Sequence, residues 1–204
     1  MDFIATSEQL RTIYKAPGTT AVRKELRHLD SHCRNFINRS PFVLIGSSDG
    51  DGNADVTPKG DRPGFVLIVD DTTIAIPDRP GNNRLDTLEN ILVHPAVGLL
   101  FLIPGMNETL RVNGHARLTT DPDLCERLSV EGRRPQCAIV VSVRAAYLHC
   151  AKAFLRSGLW QSSTWIDRAA MPTLGQMLKD QLELAESAEK TDEWLETAYR
   201  NSMW

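Results

Sequence analysis

Arg84 follows Gly81-Asn82-Asn83 and opens an apolar-periodic stretch running to Leu92. A phosphate monoester is close to dianionic, and a guanidinium fork beside the free backbone N–H groups of a helix start suits it well. Asn82, Asn83 and Arg84 are therefore candidates for a phosphate cradle, placed where Ile76-Pro77 leaves the preceding strand. The same residues also read as a plain helix start, with Asn82 or Asn83 as N-cap and Arg84 a solvated charge. Upstream, Thr57-Pro58-Lys59-Gly60-Asp61 sets a proline, which lacks a ladder donor, beside a lysine and a glycine, the pattern of a strand edge next to a ligand. Lys59 there points a cation into a site or into water. Thr109 and Arg111 lie two apart in one strand and share a face that meets either a ligand or solvent.

Other residue groups carry less. Asp49-x-Asp51-x-Asn53 imitates the opening of a calcium loop, but Ala54 stands where glycine is needed and Gly60 where the bidentate Glu belongs, so a hairpin turn is the better reading. His28 and His32 straddle a helix boundary, and His115 and His149 sit in strands without partners at metal-ligand spacing; no metal site is expected. No nucleophile elbow, dinucleotide-binding glycine fingerprint or Walker A loop occurs. Hydrolase, Rossmann and P-loop chemistry thus have no sequence support.

The chain has 204 residues, 42% hydrophobic and 24% charged, enough for a proper core and free of the bias that marks disorder. A formal charge of −3 speaks against nucleic acid as a partner, because binding it needs a basic face. Apolar runs such as Ala96 to Pro104 fall well short of the roughly 20 residues that cross a bilayer, so no membrane span is expected. Cys33, Cys125, Cys137 and Cys150 form no C-x-x-C pair, and the N-terminus carries no signal-like h-region; reduced thiols in the cytoplasm are the simplest expectation.

Positioning these residues takes a particular set of elements. The first forty residues read as helices: Ser7 to about Lys15, Thr19 or Thr20 to His28, and Asp30 or Ser31 to Arg39. Phe42 to Gly46 and Ala54 to Lys59 form a hairpin around Asp49 to Asn53, and Phe65 to Asp70 with Thr73 to Ile76 a second. Strands follow at Ala96 to Leu102, Glu108 to Thr119 and Cys137 to Tyr147, with helices from Arg84 to Leu92 and from Asp121-Pro122. After Pro172 a helical pattern runs to about Tyr199. Hairpin-joined strands with helices at the ends argue for a mainly β fold with α additions, an antiparallel barrel rather than a βαβ sheet. One domain is expected: a helical part over 1–40, a barrel over 41–150 and a helical extension over 151–204. Trp160, Trp165, Trp194 and Trp204 cluster late in the chain, as core packing or as an interface.

Taken together, Thr57-Pro58-Lys59-Gly60-Asp61-x-Pro63-Gly64-Phe65, Gly81-Asn82-Asn83-Arg84-x-x-x-Leu88-x-Asn90 and Leu110-Arg111-Val112-Asn113-Gly114-x-Ala116 resemble the pyridoxamine 5′-phosphate oxidase-like flavoproteins, over about residues 35 to 160. Ala151-Lys152-Ala153-Phe154-x-Arg156-Ser157-x-Leu159-Trp160 resembles the ending of one bacterial subgroup. The resemblance implies a Greek-key split β-barrel that binds FMN and forms a homodimer with flavin sites at the subunit interface, each using both chains. It assigns Val56, Thr57, Pro58 and Lys59 to the strand lining the flavin, Ile76 and Pro77 to the next strand meeting it, and Asn83 and Arg84 to the phosphate. Thr109 lies near the family's flavin-contacting glutamine, and the oxidases carry an arginine near Ala54; this chain departs at both. Arg156, Ser157 and Trp160 stand as a local substitute for the oxidases' C-terminal substrate cluster. The implied activity is an FMN-dependent oxidoreductase acting on a small organic substrate, other than the true oxidase. The alternatives are a flavin-storage protein and a haem-binding barrel with His115 or His149 as axial ligand.

Overall fold

The computed structural model describes residues 1–203; Trp204 lies outside them. Seven strands form one antiparallel sheet in the order β2-β1-β5-β6-β7-β4-β3. Asp49 turns the first hairpin, its carboxylate accepting the backbone N–H groups of Asp51 and Asn53, and joins β1 (Phe42–Ser48) to β2 (Ala54–Gly60). A short β3 (Leu67–Ile68) pairs with β4 (Thr73–Asp78). The chain then crosses to β5 (Ala96–Leu102), whose long partners β6 (Thr109–Thr119) and β7 (Cys137–His149) complete the sheet. Strands adjacent in space but distant in sequence, β1 with β5 and β4 with β7, give the Greek-key split barrel expected from the sequence.

Alternation decides which side chains fill the barrel. Val43 and Ile45 of β1, Leu99 and Phe101 of β5, and Leu110 and Val112 of β6 are almost wholly buried in one core. Helix α3 (Ser31–Arg39) adds Phe36 and Ile37 to it, its start fixed by Asp30 accepting the Cys33 N–H at 2.8 Å. At Gly114 the β6–β7 register shifts by a bulge, and a Cβ there would meet the Ser142 carbonyl oxygen at 2.4 Å, so only glycine lets the two strands approach.

The helices differ from expectation in four places. Thr6 rather than Ser7 caps α1 (Ser7–Ile13), through a capping box with Gln9. Helix α2 (Thr19–Arg23) stops early because Leu26 leaves it to exchange backbone hydrogen bonds with Ala146 of β7. Helix α4 (Asp86–Val93) begins two residues beyond Arg84, with Leu85 at its N-cap position. The C-terminal pattern is two helices, α7 (Leu174–Leu182) and α8 (Ala188–Ser202), because Glu183 turns left-handed at φ 53° and Ser187 caps a fresh start. Gly175 permits their close approach, and its N–H donates to Asp192 across the pair. Between β6 and the tail lie α5 (Pro122–Arg127), capped by Asp121 with proline in its first turn, and α6 (Lys152–Ser157). Among the described residues no helix is long and apolar enough to cross a membrane.

Candidate functional site

The open seam of the barrel lies between β2 and β4. Strand β2 is an edge strand, paired only with β1, and Pro58 withholds one of its donors. Strand β3 reaches only Ile74 and Ala75 of β4, so Ile76, Pro77 and Asp78 have no ladder on that side. Two ion pairs bridge the gap. Lys59 Nζ donates to Asp78 Oδ1 at 2.7 Å, both side chains about one-fifth exposed. Just beyond, Arg79 Nε donates to Asp61 Oδ2 at 2.9 Å, with the Asp61 side chain only 1% exposed. Lys59 is therefore neither a solvated hairpin lysine nor free; it is held at the seam by a carboxylate.

The other end of β2 is pinned by α4, where Thr87 Oγ1 donates to Asp55 Oδ2 at 3.0 Å. Residues 79–85 connect the two pinned points, from the end of β4 to the start of α4. That loop spans from one end of β2 to the other, and the half-buried face of β2 carries Asp55, Thr57 and Lys59. The seam thus gathers Thr57, Lys59, the free edge of Ile76-Pro77 and the loop with Asn82, Asn83 and Arg84. Val56 and Pro58 point the other way and are exposed, Val56 at 63%. Ile76 and Pro77 are buried, so what they offer a ligand is backbone.

The helix-start reading of Arg84 needs correcting. Asn82 Oδ1 accepts the Arg84 N–H at 3.0 Å and Asn83 adopts φ 59°, and this left-handed residue keeps the chain from entering a helix until Leu85. Neither asparagine is the N-cap. Asp86, in the first turn of α4, already faces its positive end and also takes Arg84 Nε at 2.6 Å. Arg84 remains an exposed guanidinium on a pre-shaped loop, able to exchange Asp86 for a stronger anion.

Four of the sequence candidates lie elsewhere in the chain. Asp78 pairs with Cys137 at the start of β7, whereas Arg111 pairs with Tyr147 and Thr109 with His149 near its end. Ten strand residues separate these positions, about 30 Å. Arg156 and Ser157 follow on α6, exposed, with Ser157 Oγ donating to the Phe154 carbonyl. Within one chain these four are not joined to the seam. Thr109 is only 2% exposed, so it offers a ligand little side chain. Trp160 stacks on Phe154 and its indole N–H donates to the Met106 carbonyl at 2.8 Å, a structural anchor for α6.

Sequence reading missed Asp61 and Arg79, because nothing but three-dimensional register shows them closing the seam. It also missed a cavity of about 220 Å³ beside them, floored by Phe65, Leu67 and Leu128. The Ser129 hydroxyl lining it is buried with no partner among the described residues. Among those residues no cluster of three or more His, Cys, Asp or Glu could hold a metal ion.

An antiparallel split barrel with helical additions and a cation-lined open seam defines the structural class. Residues 29–150 match the family model described as pyridoxamine 5′-phosphate oxidase, and the chain belongs to that family. No curated protein matches it. Among solved structures, HupZ of Group A Streptococcus is 17% identical, covering 58% of this chain and 92% of its own at a TM-score of 0.48. An FMN-binding protein from Syntrophomonas wolfei is 12% identical, covering 57% and 83% at 0.46. General stress protein 26 from Bacillus anthracis is 13% identical, covering 56% and 88% at 0.44.

Proposed function

We propose that the protein binds FMN at the barrel seam and works as an FMN-dependent oxidoreductase on a small organic substrate. The observation that carries this reading is the convergence of Lys59, Thr57, the free edge of Ile76-Pro77 and the Asn82–Arg84 loop along one unpaired strand edge. These residues fit the cofactor: Arg84 supplies a planar fork for a phosphate, Asn82 and Asn83 shape the loop under it, and unpaired backbone suits the polar edge of a ring. FMN, when bound, supplies the hydride and electron chemistry, leaving the protein to hold and orient it. Lys59 keeps a cation at the seam, fixed by Asp78, where it favours an electron-rich ligand. No side-chain acid or base is required by this reading.

The same reading includes a homodimer. Arg111, Thr109, Arg156 and Ser157 of one chain lie far from its own seam along β7, so they reach a bound flavin only from a second copy. Apolar side chains on the seam strand and on α4 also stand in solvent in the single chain: Val56, Leu92 at 73% and Val93 at 67%. A cytoplasmic location is supported by the four free thiols.

The test is the visible absorption spectrum of purified protein before and after FMN addition and dialysis, followed by anaerobic mixing with nicotinamide and deazaflavin donors. Retained flavin bands that bleach with a donor support the reading. Flavin that is retained but never reduced or reoxidised supports storage instead, and protein that retains none overturns the cofactor assignment.

A further inference from the structure

At the far end of β7 from the seam, two cations meet at one phenol ring, with a histidine two residues further along the strand. Arg111 of β6 and Tyr147 of β7 are register partners, and Arg111 Nη1 donates to the Tyr147 hydroxyl oxygen at 3.0 Å. The guanidinium carbon sits 5.6 Å from the ring centroid, and Lys24 Nζ sits 5.7 Å from it. Lys24 reaches there from the segment before α3 and donates to the Leu148 carbonyl at 2.8 Å. His149 follows two residues after Tyr147 on the same face of the strand. Burial, and then the charges of Arg111 and Lys24, hold its imidazole below the ordinary histidine range.

The inventory of these groups is one-sided. Lys24 uses one of three ammonium hydrogens and Arg111 one of five guanidinium hydrogens on the protein. Tyr147 accepts from Arg111, which leaves its own O–H to donate outward. Among the described residues neither cation has a carboxylate partner. Two cations held over one ring, beside an imidazole that resists a third charge, are completed by an acceptor-rich anion rather than by another donor. With a net charge of −3 for the chain, a small anion suits the cluster better than a polyanion.

We propose that Lys24, Arg111, Tyr147 and His149 form a recognition site for the oxyanion of a small molecule, a carboxylate or a phosphate group. Each contributes a distinct part: Arg111 a planar fork, Lys24 a mobile point charge, Tyr147 a directional O–H and His149 a ring N–H. The site goes beyond the flavin reading: it lies about 30 Å along β7 from Asp78 in the same chain, and Arg111 alone is common to both, through the second copy.

The His149 imidazole reports on the site directly. Its NMR signals, assigned against His149→Gln, are followed while flavin-free protein is titrated with inorganic phosphate and separately with acetate, at ionic strength held constant with chloride. The expected result is a saturable shift and an upward movement of the His149 titration midpoint, since a bound anion stabilises the imidazolium. Tighter saturation by phosphate assigns a phosphate group; tighter saturation by acetate assigns a carboxylate. Arg111→Gln and the surface variant Lys24→Gln each weaken binding by about ten-fold or more, as for a lost charge-assisted hydrogen bond. Shifts that track ionic strength alone, or saturation unchanged in both variants, overturn the proposal. FMN absorbance titrations on wild type and Lys24→Gln, a residue the flavin reading does not use, report the seam separately, so either reading can fail while the other stands.

Discussion

Removing the Asp61 carboxylate should open the barrel seam. Its side chain is 1% exposed and accepts from Arg79 Nε at 2.9 Å, while Arg79, 15% exposed, also donates to the Leu128 carbonyl at 3.0 Å. Asp61→Ala leaves the guanidinium with one neutral acceptor and no countercharge. Breaking a buried pair from one side costs about 3–5 kcal/mol. At roughly 2–4 °C per kcal/mol for a chain of this size, the melting temperature falls by about 6–20 °C. An exposed pair such as Arg34–Asp71, whose carboxylate is 73% exposed, serves as control, and Asp71→Ala costs about 1 kcal/mol or less. Thermal and urea melts at one fixed protein concentration measure both, and Asp61→Leu with Arg79→Met should recover most of the loss by removing the orphaned charge. If Asp61→Ala melts within about 2 °C of wild type, below 1 kcal/mol by the same scale, the pair does not close the seam.

Three further outcomes follow from the packing. Gly114→Ala drives a methyl into the Ser142 carbonyl at the β6–β7 bulge and should cost about 1–3 kcal/mol or prevent folding; wild-type urea midpoints would contradict the close approach. Cys33 is 4% exposed, and burial, aided by Asp30, pushes its thiol up to about 12 from 9.0. The folded state therefore holds that proton more tightly, its stabilisation is full below pH 9.0 and is lost as pH rises toward about 12, and Cys33→Ala should flatten the alkaline decline in urea midpoint. Ending the chain after Ser187 removes α8 with Trp194, which is 65% exposed; the proposed dimer should weaken by light scattering, and an unchanged oligomeric state would show that the helix takes no part in it.

The parts of this fold legible in the sequence are those governed by local chemistry. Asp49 with Gly52 announces a hairpin, Asp30 and Asp121 announce helix starts, and strict alternation in Thr109 to Thr119 announces a half-buried strand. The misreadings occur where distant partners or single dihedral angles decide. Leu26 deserts a helical pattern because Ala146 offers it a ladder, and Glu183 breaks a continuous helical composition with one left-handed residue. At the candidate site the residue types singled out Lys59, which the structure holds on Asp78, and Arg84, which it leaves exposed on the loop before α4. Sequence spacing held no sign of Asp78 as the partner of Lys59, or of the distance along β7 that removes Arg111 from the same chain's seam.

The most direct test of the flavin account compares FMN with riboflavin, which lacks the phosphate, in equilibrium fluorescence-quench titrations of wild type and Arg84→Ala. The account expects wild type to prefer FMN and the variant to lose about ten-fold or more in FMN affinity, the scale of a charge-assisted hydrogen bond, with riboflavin affinity unchanged. Equal FMN affinity in the two proteins, or equal losses for both ligands, would contradict Arg84 as the phosphate holder and the seam as the cofactor site.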